Sequence, residues 1–421
     1  MGTRIVKDKI KNISKVYSGA TPSTNNDEYW NGDILWITPY DLSRLTSQYF
    51  DDTERKITNE GLKSCSTHLL PAGSLVMSSR APIGYLSISK KEFTTNQGCK
   101  SLVFYEKYDP LYFYYNIQTH IDNLKRLGEG TTFAEISKNY LEEYELTFPE
   151  SKTEQQKIAS ILNTTDTAIF QTEHLIAKYK RIHKGLMHDL LTFGIDAKGS
   201  VRNPQTHRFE IKNNLLVPIE WNVKQIIKTT YLKARIGWQG LKASEFQTEG
   251  PYLVTGTDFT DGEINWESCY HVSEERFLEA KYIHLLNGDL VITKDGTIGK
   301  TAMITNCPEK AVLNSGVFVM RCKDGSYLNK FMFYVLNSQI FKDFLFRTQG
   351  GSTIIHLYQR EFEKFCFPCP QVDEQKKIIE ILDNSENNIK NEASKLKKLI
   401  AIKKGLMNDL LTKHVEVKGV Q

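Results

Sequence analysis

EQQKIASILNTTDTAIFQTEHLIAKYKRIHKGLMHDLLT, residues 154–192, returns as EQKKIIEILDNSENNIKNEASKLKKLIAIKKGLMNDLLT at residues 374–412. The copies align without a gap at an offset of 220 residues, and 17 of the 39 paired positions are identical, so the chain contains an internal duplication. Copies this far apart do not stack as a solenoid; each closes one half of the molecule. Ile158, Leu162, Thr165, Ile169, Thr172, Ile176 and Tyr179 follow 4-3 spacing, a heptad seam. Ile378, Leu382, Ser385, Ile389, Glu392, Leu396 and Leu399 repeat it in phase. Ser151, three residues before Glu154, predicts a capping-box start, and Gly194 predicts a stop. A helix of this length extends about 58 Å. Polar residues on the seam make each copy a poor folding unit alone. The expected arrangement is therefore an intramolecular antiparallel pair acting as a rigid spacer. The competing reading packs each helix on its own domain or on another chain.

The length of 421 residues leaves room for two or three domains, and 20 Tyr with 21 Phe suit β-rich modules with real cores. No apolar run reaches about 18 residues, so no transmembrane helix is expected. The N-terminal MGTRIVKDKIKNIS lacks the apolar core of a signal peptide. Seven irregularly placed cysteines fit a reducing compartment, hence a cytoplasmic location. Net charge is +4, and residues 1–150 carry 17 basic against 19 acidic side chains. Charge alone therefore does not announce a nucleic-acid binder; basic groups would have to cluster on one face.

From Ile10 to Pro149 short strands alternate with turns. Strands are predicted at Ile34–Thr38, Gly73–Ser79, Tyr85–Ile88, Leu102–Tyr105 and Tyr144–Phe148, with a helix over Leu111–Leu127. Phe193–Pro218 reads as a polar linker without a clear period. Residues 219–370 then loosely repeat residues 1–150. Thr38-Pro39-Tyr40-Asp41 is answered by Thr255-Gly256-Thr257-Asp258, and Gly73-Ser74-Leu75-Val76 by Gly288-Asp289-Leu290-Val291. Ile83-Gly84 is answered by Ile298-Gly299, and Asn96-Gln97-Gly98 by Asn314-Ser315-Gly316. Framework glycines and apolar positions persist while loops differ, which describes one fold carrying two reading surfaces.

Catalytic signatures are missing. Asp295-Gly296-Thr297-Ile298-Gly299-Lys300-Thr301 imitates a phosphate loop, but Lys294 stands where glycine is needed and a strand pattern follows. Cys366-Phe367-Pro368-Cys369 has no second CxxC or paired histidines at zinc spacing, so structural cysteines are expected. There is no HExxH, no GxSxG elbow, no GxGxxG after a strand, and no Asn/Asp-Pro-Pro-aromatic signature of amino-methyltransferases. No metal site is expected.

The chain resembles the specificity subunit of bacterial type I restriction–modification systems. Ser18-Gly19-Ala20-Thr21-Pro22-Ser23 followed by residues 29–39, Tyr-Trp-Asn-Gly-Asp-Ile-Leu-Trp-Ile-Thr-Pro, looks like the opening of a target-recognition domain. Pro218-Ile219-Glu220-Trp221 looks like the start of a second; the first domain lacks this Pro-x-x-Trp lead-in. Pro149 with residues 154–158, residues 184–192, and their partners at 374–378 and 404–412 look like the family's helical regions. The resemblance implies an α+β fold: two similar mixed α/β target-recognition domains, separated by two long helices packed as an antiparallel coiled coil with an internal pseudo-two-fold. The implied domains are recognition domain 1 at 1–150, spacer helix 1 at 151–195, a linker at 196–218, recognition domain 2 at 219–370, spacer helix 2 at 371–415 and a tail at 416–421. It further implies a non-catalytic reader of double-stranded DNA, each domain reading one half of a bipartite site. Two methyltransferase (M) subunits bring S-adenosylmethionine and methylate adenine, and motor-nuclease (R) subunits join for cleavage. This chain would bind no cofactor itself, and no membrane.

Base-edge and phosphate contacts draw on Arg, Lys, Asn, Gln, Ser, Thr and backbone amides. Candidates flank the framework glycines: Thr38, Tyr40, Ser79, Arg80, Lys90, Lys91, Gln97, Lys100, Thr131 and Thr132 in the first domain. In the second they are Arg235, Trp238, Gln239, Thr257, Lys294, Ser315, Gln349, Ser352 and Thr353. For each the competing reading is a solvated loop residue. Asn96 and Asn314 fit a turn brace as well as a base contact; glycines 19, 84, 98, 299 and 316 read as frame. Lys184, Met187, Lys404 and Met407 are candidates for the partner surface, with core packing the alternative for the methionines. The rival function is an interaction scaffold that does not bind DNA.

Overall fold

The computed structural model describes residues 4–80, 82–128, 135–236, 240–349, 356–413 and 415. Two compact units emerge: Met1–Ile176 with Asn391–Gln421, and Ala177–Lys390. Each holds one head and parts of both long helices.

In the first unit a five-stranded sheet runs in the order Ser14–Ser18, Cys99–Phe104, Leu75–Ser78, Leu86–Ser89, Tyr49–Phe50. Trp30–Ile37 lies between Lys56–Ile57 and Phe93–Thr95 in a second sheet. Leu75–Ser78 is buried at every position, the signature of a strand covered on both faces. Ile5–Lys9 pairs antiparallel with Glu145–Pro149. The second unit repeats this plan. Thr230–Ala234, Val317–Cys322, Leu290–Thr293 and Thr301–Met303 are successive neighbours in one sheet. Gln247–Val254 lies between Tyr270–His271 and Ala311–Leu313, and Asn222–Gln225 pairs with Cys366–Cys369. The strand predicted after the phosphate-loop lookalike is present: Leu290–Thr293 and Thr301–Met303 form an antiparallel pair around it.

Two expectations need correction. The predicted helix over Leu111–Leu127 is two helices, Pro110–Gln118 and Ile121–Gly128. The first is closed because the Thr119 amide and hydroxyl both donate to Asn116 O, and the His120 amide donates to Ile117 O. The stretch read as a polar linker without a clear period contains a β-hairpin, Phe209–Lys212 with Leu215–Pro218. Its tight turn is made by Asn213 and Asn214 at φ of 50° and 63°, the left-handed conformation that asparagine tolerates.

The long helices span Lys152–Thr192 and Val372–Met407, the second continuing as a π-turn over Asn408–Thr412. The Glu154 amide lies 3.5 Å from Ser151 Oγ at the first helix start, and Gly194 takes a φ of 67° past its end. Every predicted seam position in both copies is buried or half-buried. The helices run antiparallel within each unit: Lys403 Nζ lies 2.6 Å from Asp166 in the first, and His183 Nδ1 lies 3.2 Å from Ser385 Oγ in the second.

Equivalent glutamines pin the helices to the heads. Gln155, fully buried, accepts from the Asp109 amide at 2.9 Å and donates to Pro149 O at 2.8 Å. Gln375, also fully buried, accepts from the Leu328 amide at 2.9 Å and donates to Ser326 O and Pro370 O. Tyr115 OH donates to Asp166, and Tyr334 OH to Asp383, with Glu386 Oε2 3.1 Å away. In the second unit Glu374 gathers the Arg202 guanidinium, the Trp221 indole N–H and the Ile195 amide.

Burial lowers the pKa of His183, opposed by Glu386, and burial alone lowers that of His120. A lowered folded value means that the unfolded chain binds more protons just below its own value of about 6.5. The stability tied to the neutral rings is therefore present above about pH 6.5 and is lost as pH falls below it. Urea midpoints measured at pH 7.5 and 5.5 are expected to drop on acidification, and by less in His183→Gln. An unchanged drop in that variant removes His183 from the account.

Candidate nucleic-acid interface

One framework recurs in both heads. In the first, the chain leaves Leu75–Ser78 and stays in the ladder for two more residues. The Ser79 amide donates to Gly98 O at 2.8 Å, the Ile136 amide donates to Ser79 O at 2.9 Å, and Arg80 forms an antiparallel bridge with Glu135. In the second, the Lys294 amide donates to Gly316 O at 2.9 Å, the Leu357 amide donates to Lys294 O at 2.7 Å, and Asp295 bridges His356. The strand end, glycine turn and returning segment coincide bond for bond.

Around this frame the first head collects Ser79, Arg80, Gln97 and Lys100. Lys100 is 4% exposed; its Nζ lies 3.2 Å from Ser79 Oγ, 3.4 Å from Gln97 O and 3.4 Å from Glu135 Oε1. Arg80 Nη1 stands 3.6 Å from Glu135 Oε2. Gln97 is exposed and accepts from the Thr21 hydroxyl at 2.5 Å. Thr38 is engaged internally: it caps the helix Pro39–Arg44 in a capping box with Asp41. Tyr40 on that helix is 58% exposed, with the Arg44 guanidinium 5.1 Å from its ring centre. Lys90 and Lys91 are exposed beyond the far end of the antiparallel strand Leu86–Ser89, away from Arg80.

In the second head Lys294 Nζ lies 5.5 Å over the Phe318 ring, and the Ser315 amide donates to Asn314 Oδ1 at 2.7 Å. Asn96 Oδ1 likewise accepts from the Gly98 amide, so both asparagines brace their turns. Thr257 is exposed and shares a 2.7 Å hydroxyl hydrogen bond with Thr255. Arg235 is 3% exposed and donates from Nε to Leu313 O, pointing into the head; burial first and Arg276 second lower its pKa. Thr131, Thr132, Trp238, Gln239, Ser352 and Thr353 lie outside the described residues, and for Gln349 only the helical backbone is described.

Sequence reasoning missed Glu135, Asp295 and His356. Asp295 sat inside the phosphate-loop lookalike, which reads as a glycine turn between strands rather than as a reading position. Glu135 and His356 correspond only through the ladder, in segments whose side chains differ.

The CxxC lies on the strand Cys366–Cys369, where residues three apart face opposite ways, so the two sulfurs do not converge. Cys369 Sγ rests 3.3 Å from Ser326 O, and burial pushes its thiol up to about 11. On the helices Lys184 and Lys404 are exposed, whereas Met187 and Met407 pack partly buried against the core of their own unit. Among the described residues no helix is long and apolar enough to cross a membrane.

The sequence model described as "Type I restriction modification DNA specificity domain" matches residues 5–180 and 239–401. The chain belongs to that family. It is a type I specificity subunit, non-catalytic like its relatives, which work with partners that carry the enzymatic activity. It is 29% identical over 368 residues to the MjaIX specificity subunit of Methanocaldococcus jannaschii, covering 86% of this chain and 82% of that protein. Over 162 residues it is 33% identical to the EcoR124I/EcoR124II specificity subunit of Escherichia coli, 37% of this chain and 39% of that one. The S subunit from M. genitalium shares its fold with a TM-score of 0.61 at 14% identity, over 100% of this chain and 98% of that one. Family membership agrees with the sequence reading of a specificity subunit, and the M. genitalium likeness agrees with the expected α+β fold.

Proposed function

We propose that each head of this specificity subunit reads one half of a bipartite double-stranded DNA sequence, and that the antiparallel helices set the unread gap. The observation that carries this reading is the ladder end built twice with the same backbone bonds and different side chains. One frame with two chemistries suits two unlike half-sites, about one helical turn or roughly 34–36 Å apart. Two methyltransferase subunits dock on the repeated helical phrases, where exposed Lys184 and Lys404 occupy equivalent positions. They bring S-adenosylmethionine and methylate adenine; motor-nuclease subunits add cleavage.

Methylome sequencing of a host expressing this chain with its methyltransferase tests the proposal. A single bipartite motif is expected. Replacing residues 1–150 by the first domain of another family member is expected to change one half-site and leave the other intact. Inserting one heptad in both helices is expected to lengthen the gap alone. Absence of any motif, with the complex assembled, favours the scaffold.

A further inference from the structure

The side chain on the ladder strand reverses in charge between the two heads. Arg80 faces Glu135 in the first head; Asp295 faces His356 at the same bridge in the second. We propose that this bridge is a base-reading position of opposite polarity in the two heads. Arg80 donates to a guanine edge in one half-site, and Asp295 accepts from the exocyclic amine of cytosine or adenine in the other. This rests on the DNA-reading function above and deepens it.

The floor beneath both positions is glycine. A Cβ on Gly98 would stand 3.3 Å from Arg80 Nε, and one on Gly316 would stand 3.6 Å from Asp295 Cβ and Oδ2. Backbone bonds hold the ladder whichever side chains it carries. The pairs themselves are half-exposed: 39% and 35% for the Arg80 and Glu135 side chains, 41% and 31% for Asp295 and His356. Charged or polar pairs this exposed contribute little to stability, so the fold does not require these side chains. Among the described residues the Arg80 guanidinium has one charged contact, Nη1 to Glu135 at 3.6 Å, which leaves other donors of the fork for guanine O6 and N7. A carboxylate offers only acceptors, which suits the amine of cytosine or adenine.

A second exchange supports the first. The first head places a lysine below this position from the neighbouring strand, Lys100, with Ser79 on the ladder strand. The second places it on the ladder strand itself, Lys294, over Phe318 at the position matching Lys100. Both heads thus set a lysine at this ladder end, while the residue at the Arg80 position changes sign to Asp295. A general phosphate-binding site has no use for an aspartate at its outer face; a base-reading one does.

The test uses the full chain with its methyltransferase, and competition binding on duplexes varied at each position of the methylated motif. Arg80→Lys and Arg80→Gln are expected to relax one guanine in the half-site assigned to residues 1–150 by tenfold or more, with the other half unchanged. Asp295→Asn is expected to relax one cytosine or adenine in the other half. Arg80→Lys keeps the charge and the exposed setting, and circular dichroism melts confirm folding. Weakening of Arg80→Gln equally on every sequence, with a salt dependence shallower by about one ion, would identify a phosphate contact and overturn the proposal. Unchanged preferences in all three variants, or a first half-site without guanine, overturn it too. A wild-type complex with no bipartite motif overturns the DNA-reading function itself, before any variant is compared.

Discussion

Glu374→Ala is expected to destabilise the second unit by about 3–5 kcal/mol, the cost of leaving a buried charge without its partner. The Arg202 side chain is 10% exposed, and Glu374 receives both of its terminal nitrogens, at 2.5 and 3.2 Å. The same carboxylate takes the Trp221 indole N–H at 3.0 Å and the Ile195 amide at 2.8 Å. One side chain therefore ties the helix start to the segment after the first helix and to the first buried tryptophan of the second head. Its loss takes the acceptor from donors on three residues together. Differential scanning calorimetry of the full chain checks this, with Arg202→Ala and the double variant completing a thermodynamic cycle. A coupling below about 1 kcal/mol would show that the contact is incidental.

Replacing Gln375 by leucine is expected to cost about 3 kcal/mol, because it keeps the volume, leaves the Leu328 amide and Pro370 O without this buried partner, and leaves Ser326 O only the weak Cys369 thiol. Gln155→Leu is expected to act alike through the Asp109 amide and Pro149 O. Denaturant midpoints give the size. Hydrogen exchange at Leu328 and at Asp109 gives the location, and protection should fall at the amide that lost its acceptor. A change below about 1 kcal/mol in both variants would reduce the glutamines to filler.

These residues bear on what a one-dimensional reading can reach. The repeat was legible because identity and heptad phase are local, and each seam residue carries its signal in its own spacing. The framework glycines and the strand Leu75–Ser78 were legible for a related reason: a tight turn and a doubly covered strand restrict residue type at single positions. The hairpin over Phe209–Pro218 was missed although Asn213-Asn214 marked it, because polarity was weighed above turn chemistry. The break near Thr119 was missed because apolar spacing continues through it, while the hydrogen bonds that close the turn depend on backbone geometry.

The candidate interface divides along the same line. Residue type alone nominated Arg80, Lys100 and Lys294, but it also nominated Lys90, which the antiparallel register sends to the far end of the sheet. Two long helices, two similar heads and membership of a reading rather than a reacting family were already written in the order of residues, since repeats and missing catalytic motifs are properties of the string. That Arg80 meets Glu135 where Asp295 meets His356, and that Lys294 lies over the ring standing at the register position of Lys100, came from the fold alone. Such pairings join segments far apart in the chain, and register, not neighbouring residue type, selects them.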